Sequence, residues 1–279
     1  MIGVIDVGGG LRGIYGAGVL DYCLDHEIHF DYGIGVSAGS ANIASYIAGQ
    51  KRRNYPFYLK YPFRKEYMSL KNYLTKKSYL DLDYVYRELS NSGGENPLNY
   101  QAFIDNKAKF IAVAYDVNQG KPHYFTKKDF SQDHYEVFEA SCCIPLVCQP
   151  VVIDDVPYYD GGLGDPVPLK KALDDGCDKV VVILTKPKDL VRDEKDDDML
   201  VKILTRKDPL AGKNMELRAQ RYNESVAYAK ELEAQGKALI VAPDDIGSMS
   251  TLTKDKETLF LMYNKGYVDG EKIKSFLEE

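Results

Sequence analysis

Two strand–glycine turn–helix units fill the first fifty residues, and they restrict the fold more than any other part of the chain. Ile2 to Val7 is an apolar run that stops at Gly8-Gly9-Gly10. Ile14 to Asp25 then reads as a helix, with Val19, Leu20, Cys23 and Leu24 on its apolar face. Tyr32 to Val36 is a second short strand, and Ser40 to Ala48 a second helix closed by Gly49. Units of this kind call for parallel strands covered by helices. Gly16 and Gly18 each weaken the first helix by roughly 1 kcal/mol relative to Ala, a loss that close packing on the sheet would offset.

The remaining pattern extends this α/β reading. No clean linker divides the 279 residues, so one large domain over 1–279 is expected. Phe110 to Asp116 and Lys121 to Thr126 flank Val117-Asn118-Gln119-Gly120, a hairpin signal. His134 to Ser141 is helix-like. Val151 to Ile153 and Val156 to Tyr159 lead into Asp160-Gly161, and Val180 to Leu184 reads as a fully buried strand. Lys186 to Asp198 is charged and is expected to be a surface loop. Met215, Ala219, Tyr222, Val226 and Ala229 mark one amphipathic helix. A last strand is expected at Ala238 to Ala242, and a largely helical C-terminal portion over about 205–279.

Residues 51–107 break the rhythm and are expected to form a cap-like insertion. Between Lys51 and Lys77 stand nine Lys/Arg against one acid, Glu66, interleaved with Tyr55, Phe57, Tyr58, Tyr61, Phe63, Tyr67 and Tyr73. One reading is an irregular excursion with packed aromatics and solvated charges. The other is a cap that meets anionic lipid head groups, peripheral contact running through 51–77. The two are compatible.

Charge and cysteine usage narrow the setting. A net charge of −6 argues against a nucleic-acid partner. Five cysteines form an odd set without C-x-x-C spacing, which suits a reducing cytoplasm. Neither a signal-like N-terminus nor an uncharged apolar run of about 18 residues is evident, so a cytoplasmic protein, peripheral at most to the inner membrane face, is expected. No H-E-x-x-H, Cys/His ligand spacing or EF-hand loop is present; no metal and no cofactor is expected.

Gly8-Gly9-Gly10-Leu11-Arg12-Gly13 admits three uses. It fits the dinucleotide fingerprint, with Asp31 near the offset of a ribose-binding acid. It fits an oxyanion hole, in which glycines let backbone N–H groups converge at a helix N-terminus. It also fits a structural tight turn. Arg12 and a serine turn at the end of the next strand weigh against the cofactor.

Ser37 lies in Gly35-Val36-Ser37-Ala38-Gly39, a G-x-S-x-G match between a strand and a helix. Gly35 and Gly39 allow a sharp reversal that projects the serine, with the Ala38 N–H toward a developing oxyanion. The plainer reading is a helix N-cap. No histidine lies beyond His134, so the order Ser…acid…His fails for any acid in the second half. His26, His29, His123 and His134 read as surface or satisfied side chains. Asp160, followed by Gly161 and Gly162, is the candidate base, provided its surroundings raise it from the usual carboxylate range near about 3.9. An ordinary Asp-Gly turn is the competing reading.

Together these motifs, with Ala140-Ser141-Cys142-Cys143-Ile144-Pro145, resemble the patatin-like phospholipase family over roughly residues 2–185. The resemblance implies a three-layer α/β/α fold with a mainly parallel central sheet and a Ser–Asp dyad. Ser37 would be the nucleophile and Asp160 its base, with Gly8, Gly9, Gly10 and Ala38 forming the oxyanion hole. Gly13, Gly35, Gly39, Gly161 and Gly162 would support them, and Arg12 would hold the turn or a head group. Cys142 and Cys143 depart from the small residues common in the family at those positions. The expected function is a serine lipid acyl hydrolase of phospholipase A, lysophospholipase or carboxylesterase type, acting on a phospholipid or other acyl ester. A transacylase, or a non-catalytic lipid- or nucleotide-binding protein, is the alternative.

Overall fold

The computed structural model describes residues 1–278. Strand β1 (Ile2–Asp6) passes through the glycine turn into helix α1 (Ile14–Asp25), and β2 (Tyr32–Val36) passes through Ser37 into α2 (Ala38–Ile47). The insertion holds short helices α3 (Tyr55–Leu59) and α4 (Leu70–Lys76), a π-helical turn at Tyr84–Leu89, and α5 (Tyr100–Asp105). Then come β3 (Lys109–Asp116), β4 (Lys121–Thr126), α6 (Glu136–Cys142), β5 (Val151–Ile153), β6 (Val156–Asp160) and α7 (Leu169–Asp174). The chain continues through β7 (Lys179–Ile183), α8 (Asp198–Lys207), α9 (Pro209–Glu216), α10 (Arg218–Ala234), β8 (Ala238–Val241), α11 (Lys256–Asp269) and α12 (Glu271–Glu278).

All eight strands among the described residues join one sheet in the order β5-β6-β3-β2-β1-β7-β8, with β4 also paired to β3. Neighbours from β3 through β2, β1 and β7 to β8 are parallel, and the β3–β4, β3–β6 and β5–β6 pairs are antiparallel. Alternating side chains of the central strands feed two separate cores. Val4, Val181 and Ile183 pack with α1, α2, α6 and α11 on one face. Ile5, Val180 and Val182 pack with α7 and α10 on the other. The fold is therefore the expected three-layer α/β/α arrangement.

One register decides where the site forms. β2 runs along β3 until Val36 stands opposite Val113. β4 covers the opposite edge of β3, so β6 must take the same edge as β2, and it places Asp160 opposite Ala114. The strands meet end to end. Ser37 and Asp160 leave adjoining positions on that edge.

Three local expectations need correction. Gly16 lies against the sheet, at Asp6, but Gly18 lies against α11. A Cβ at Gly18 would come within 2.2 Å of the Tyr263 carbonyl oxygen, and one at Gly266 within 2.1 Å of that of Tyr15. The single helix from Met215 to Ala229 is two, because Leu217 (φ −82°, ψ −4°) interrupts the α-helical turn between α9 and α10. Lys186 to Asp198 is not wholly a solvated loop, since the Arg192 side chain is only 11% exposed and packs on the Tyr222 ring.

Candidate active site

Ser37 occupies the bend between β2 and α2 with φ 56° and ψ −134°, a conformation that a residue with a Cβ adopts only when its surroundings impose it. Those surroundings are visible. Its N–H donates to the Ser141 hydroxyl at 3.0 Å, and that hydroxyl donates to the Val113 carbonyl at 2.7 Å. Its own carbonyl accepts from the Ser40 hydroxyl at 2.7 Å. A Cβ at Gly35 would lie 2.4 Å from Ser40, and one at Gly39 2.2 Å from the Asp6 carbonyl oxygen, so both flanking glycines are needed for the reversal.

Asp160 ends β6. Its N–H donates to the Cys143 carbonyl at 2.8 Å, and its carboxylate accepts the Gly162 N–H at 2.8 Å. Burial pushes its pKa up, while hydrogen bonding with Ser37, the Gly162 N–H and the positive charge of Arg218 pull it back. The Ser37 hydroxyl also neighbours the Cys142 thiol, which in turn bonds with the Tyr86 hydroxyl at 3.1 Å. A carboxylate raised by burial, beside a serine hydroxyl, has the character of a general base.

Gly8, Gly9 and Gly10 all have positive φ, at 61°, 121° and 59°. Glycine adopts such values without strain, and the turn packs against the Ser37 bend, a Cβ at Gly8 lying 2.3 Å from the Val36 carbonyl oxygen and 3.0 Å from the Ala38 nitrogen. Leu11 N–H is taken by the Thr251 carbonyl at 2.8 Å, whereas Gly9, Gly10 and Ala38 have no protein acceptor among the described residues. The expectation for Gly8 is corrected. Its N–H donates to the Asp6 carboxylate at 2.9 Å, and its carbonyl accepts from the Thr185 hydroxyl at 2.5 Å. Gly8 anchors the turn instead of contributing an open donor. Gly13 and Gly161 serve close approach, a Cβ there meeting the Tyr58 hydroxyl at 2.8 Å and the Val113 carbonyl oxygen at 2.2 Å.

Asp6 is a site residue that the sequence reading missed. Fully buried, its carboxyl is pushed up to about 6 by desolvation, against hydrogen bonds from Asn42 and the Gly8 N–H. Asn42 bonds Asp6 and the Gly13 carbonyl at 2.9 Å each and accepts from Tyr58 at 2.9 Å. This network ties the glycine turn to α2. The available signal was an acid at the end of a strand, two residues before the glycines.

A cavity opens from Gly10, Ser37 and Ala38 into the insertion, lined by Leu11, Phe57, Tyr58, Tyr67, Met68, Leu80 and Tyr86. Its apolar wall suits a hydrocarbon chain. Arg53, also in this wall, is buried and not solvated as expected. Burial lowers it to about 10, and its guanidinium is held by Ser45, Ser90 and the Asn96 and Pro97 carbonyls. No histidine lines the cavity. His26 stacks on Tyr22 and His123 packs against Phe125, while His29 and His134 are exposed. Asp31, the acid of the dinucleotide reading, accepts the Ile2 N–H at 2.8 Å at the opposite end of β1.

A family model described as patatin-like phospholipase matches residues 7–173, which takes in the glycine turn, the serine bend and Asp160. The chain belongs to the patatin-like phospholipase family. A second model, described as a domain of unknown function (DUF6363), matches residues 209–279. The uncharacterized protein YjjU of Escherichia coli (strain K12) is 28% identical over 191 residues, covering 67% of this chain and 52% of that protein. The chain thus aligns with about half the length of this relative. The crystal structure of VipD from Legionella pneumophila superposes with a TM-score of 0.50 at 13% identity, over 98% of this chain and 66% of that one. At that identity the likeness concerns the fold. No described helix is long and apolar enough to cross a membrane.

Proposed function

We propose that this patatin-like protein is a serine lipid acyl hydrolase working through Ser37 and Asp160. The observation that carries the reading is the strained Ser37 bend beside a buried carboxylate, with three unpartnered amides and an apolar cavity at the same point. Asp160 takes the hydroxyl proton as the Ser37 oxygen attacks the ester carbonyl. Gly9, Gly10 and Ala38 N–H groups stabilise the tetrahedral oxyanion, each donor contributing on the order of 3 kcal/mol to the transition state. Asp160 returns the proton to the leaving alcohol. Water, activated by the same carboxylate, then releases the fatty acid from Ser37.

The unit of activity in this proposal is the whole of residues 1–279. Its support is that β8 extends the sheet and α11 binds α1 through Tyr15–Asp269 and Tyr263–Asp21 hydrogen bonds of 2.7 and 2.8 Å. The insertion serves as both acyl wall and membrane contact. On α4 the exposed Leu70 and Leu74 (74% and 81%) lie beside Tyr73, Lys71 and Lys76, a small apolar patch with a basic surround. Five free, buried cysteines fit a reducing cytoplasm.

The test is turnover of acyl esters with product analysis. Wild type should release free fatty acid, and Ser37→Ala and Asp160→Asn should each lose at least about 1,000-fold in kcat. Full activity in Asp160→Asn would show that another group is the base. Acyl transfer to an added alcohol in place of release to water would reassign the reaction.

A further inference from the structure

A second polar feature flanks the glycine turn. Arg12 leaves that turn, Lys186 follows the end of β7, Arg192 comes from the loop after it, and Arg218 and Tyr222 come from α10. Contacts place Arg12, Arg192, Arg218 and Tyr222. A Cβ at Gly9 would lie 3.3 Å from the Arg12 guanidinium, and Arg12 donates to the Thr251 hydroxyl at 3.2 Å. Arg192 lies over the Tyr222 ring at 5.5 Å. Arg218 donates to the Gly162 carbonyl at 3.2 Å, beside Asp160.

The charges do not balance. Asp197 reaches Arg192 at 3.4 Å and Arg218 at 3.6 Å, and Asp196 acts on Lys186 and Arg192 only through space. Of the four cations, Arg192 and Arg218 share the Asp197 carboxylate, and Arg12 and Lys186 contact no carboxylate among the described residues. Burial and mutual repulsion lower Arg12 to about 10 and Lys186 to about 8, and lower Arg192 as well.

The hydrogen bonds do not balance either. Arg12 Nε, Arg192 Nε and the Tyr222 hydroxyl are buried without partners among the described residues, and Tyr222 as a residue is only 6% exposed. Buried polar groups in folded proteins are otherwise nearly all paired. Each of the three can donate, and neither guanidinium can accept, so what suits them is an acceptor with several oxygens. Donors arriving from four separate segments suit a tetrahedral oxyanion better than a planar carboxylate.

We infer that Arg12, Lys186, Arg192, Arg218 and Tyr222 form a phosphate site that holds the head group of the acyl-ester substrate, with a preference for a phosphate monoester lacking an adjacent cation. The excess positive charge favours a dianion and repels a quaternary ammonium. The inference rests on the acyl hydrolase reading for its setting. Residues 186–222 lie beyond the segment matched to the patatin-like family, so the selectivity belongs to the C-terminal part of the chain.

Two arms test this. In the first, Ser37→Ala is titrated with inorganic phosphate and with glycerol 1-phosphate while its Tm is followed, which requires no turnover. Both ligands should raise Tm, and Tyr222→Phe and Arg192→Gln should reduce the shift. Tyr222→Phe removes only an unpartnered hydroxyl, so it keeps the test valid should Arg192→Gln fold poorly. In the second arm, wild type is assayed on lysophosphatidic acid, lysophosphatidylcholine and monoacylglycerol with one acyl chain. The first should be preferred in kcat/KM by about ten-fold or more, and Arg192→Gln or Lys186→Gln should erase most of that preference. Phosphate should inhibit competitively against lysophosphatidic acid. No shift with either ligand, equal kcat/KM for the three head groups, or phosphate binding without competition would overturn the inference. Failure to turn over even p-nitrophenyl esters would instead remove the hydrolase reading, leaving the binding arm to decide the phosphate site.

Discussion

Ser141→Ala should unlock the serine bend without touching any reacting atom. The hydroxyl it removes is completely buried, and it is the acceptor for the Ser37 N–H and a donor to Val113. A buried N–H left unpaired costs about 1–3 kcal/mol, and loss of one bond to the Val113 carbonyl adds about 1 kcal/mol. The unfolding free energy should therefore fall by about 2–4 kcal/mol. Ser37 at φ 56° stores strain of order 1–3 kcal/mol, which the truncated site can release by letting the bend relax. A displacement of about 1 Å of the nucleophile lowers the rate about 100-fold. With no tryptophan in the chain, urea unfolding is followed by circular dichroism, and kcat/KM is measured on a soluble ester. The midpoint should drop at unchanged m. Stability within about 0.5 kcal/mol of wild type, together with unchanged kcat/KM, would refute the clamp.

Other outcomes are equally specific. Burial raises Asp160, so the acid limb of kcat/KM should lie above the ordinary carboxylate range, activity falling as pH drops through it; a limb at or below that range contradicts the assignment. Asp6 has a folded pKa raised to about 6, so its stabilising contribution is complete below about pH 4 and is lost as pH rises through 6. The loss amounts to roughly 3 kcal/mol by neutral pH, and Asp6→Asn should remove that slope from the stability–pH curve. Native protein should react slowly with a thiol reagent at all five cysteines, because every one is buried and burial also raises the thiols of Cys23, Cys142, Cys143 and Cys177; a fast-reacting thiol would contradict this. Replacing Leu70 and Leu74 with Ser should weaken sedimentation with anionic vesicles and spare turnover of a soluble ester; undiminished sedimentation removes α4 as the contact.

The sequence was most informative where the chemistry forces a local backbone shape. The serine bend and the glycine turn need residues without a Cβ at fixed spacing, so Gly35, Gly39 and Gly8 to Gly10 announce themselves. Parallel strands follow from the same two units. Asp160 was harder, because an Asp-Gly pair is common in turns, and only the shared edge of β3 brings it to Ser37. Asn42 carries no pattern, Asp6 only its place at a strand end two residues before the glycines, and Ser141 only its neighbours in Ala140-Ser141-Cys142; the Asn42–Asp6 and Ser37–Ser141 bonds join positions 36 and 104 residues apart. The basic cluster was hidden by the same separation in sequence, its members arriving from four separate segments. The insertion deceived in part, since its excess of basic residues concealed Arg53, which is buried.

The most direct measurement is peptide mass spectrometry after exposure to a fluorophosphonate, on wild type and Asp160→Asn side by side. One adduct is expected, on Ser37, forming at least about 100-fold more slowly in the variant. An adduct on another residue, no adduct in wild type, or equal rates in the two proteins would contradict this.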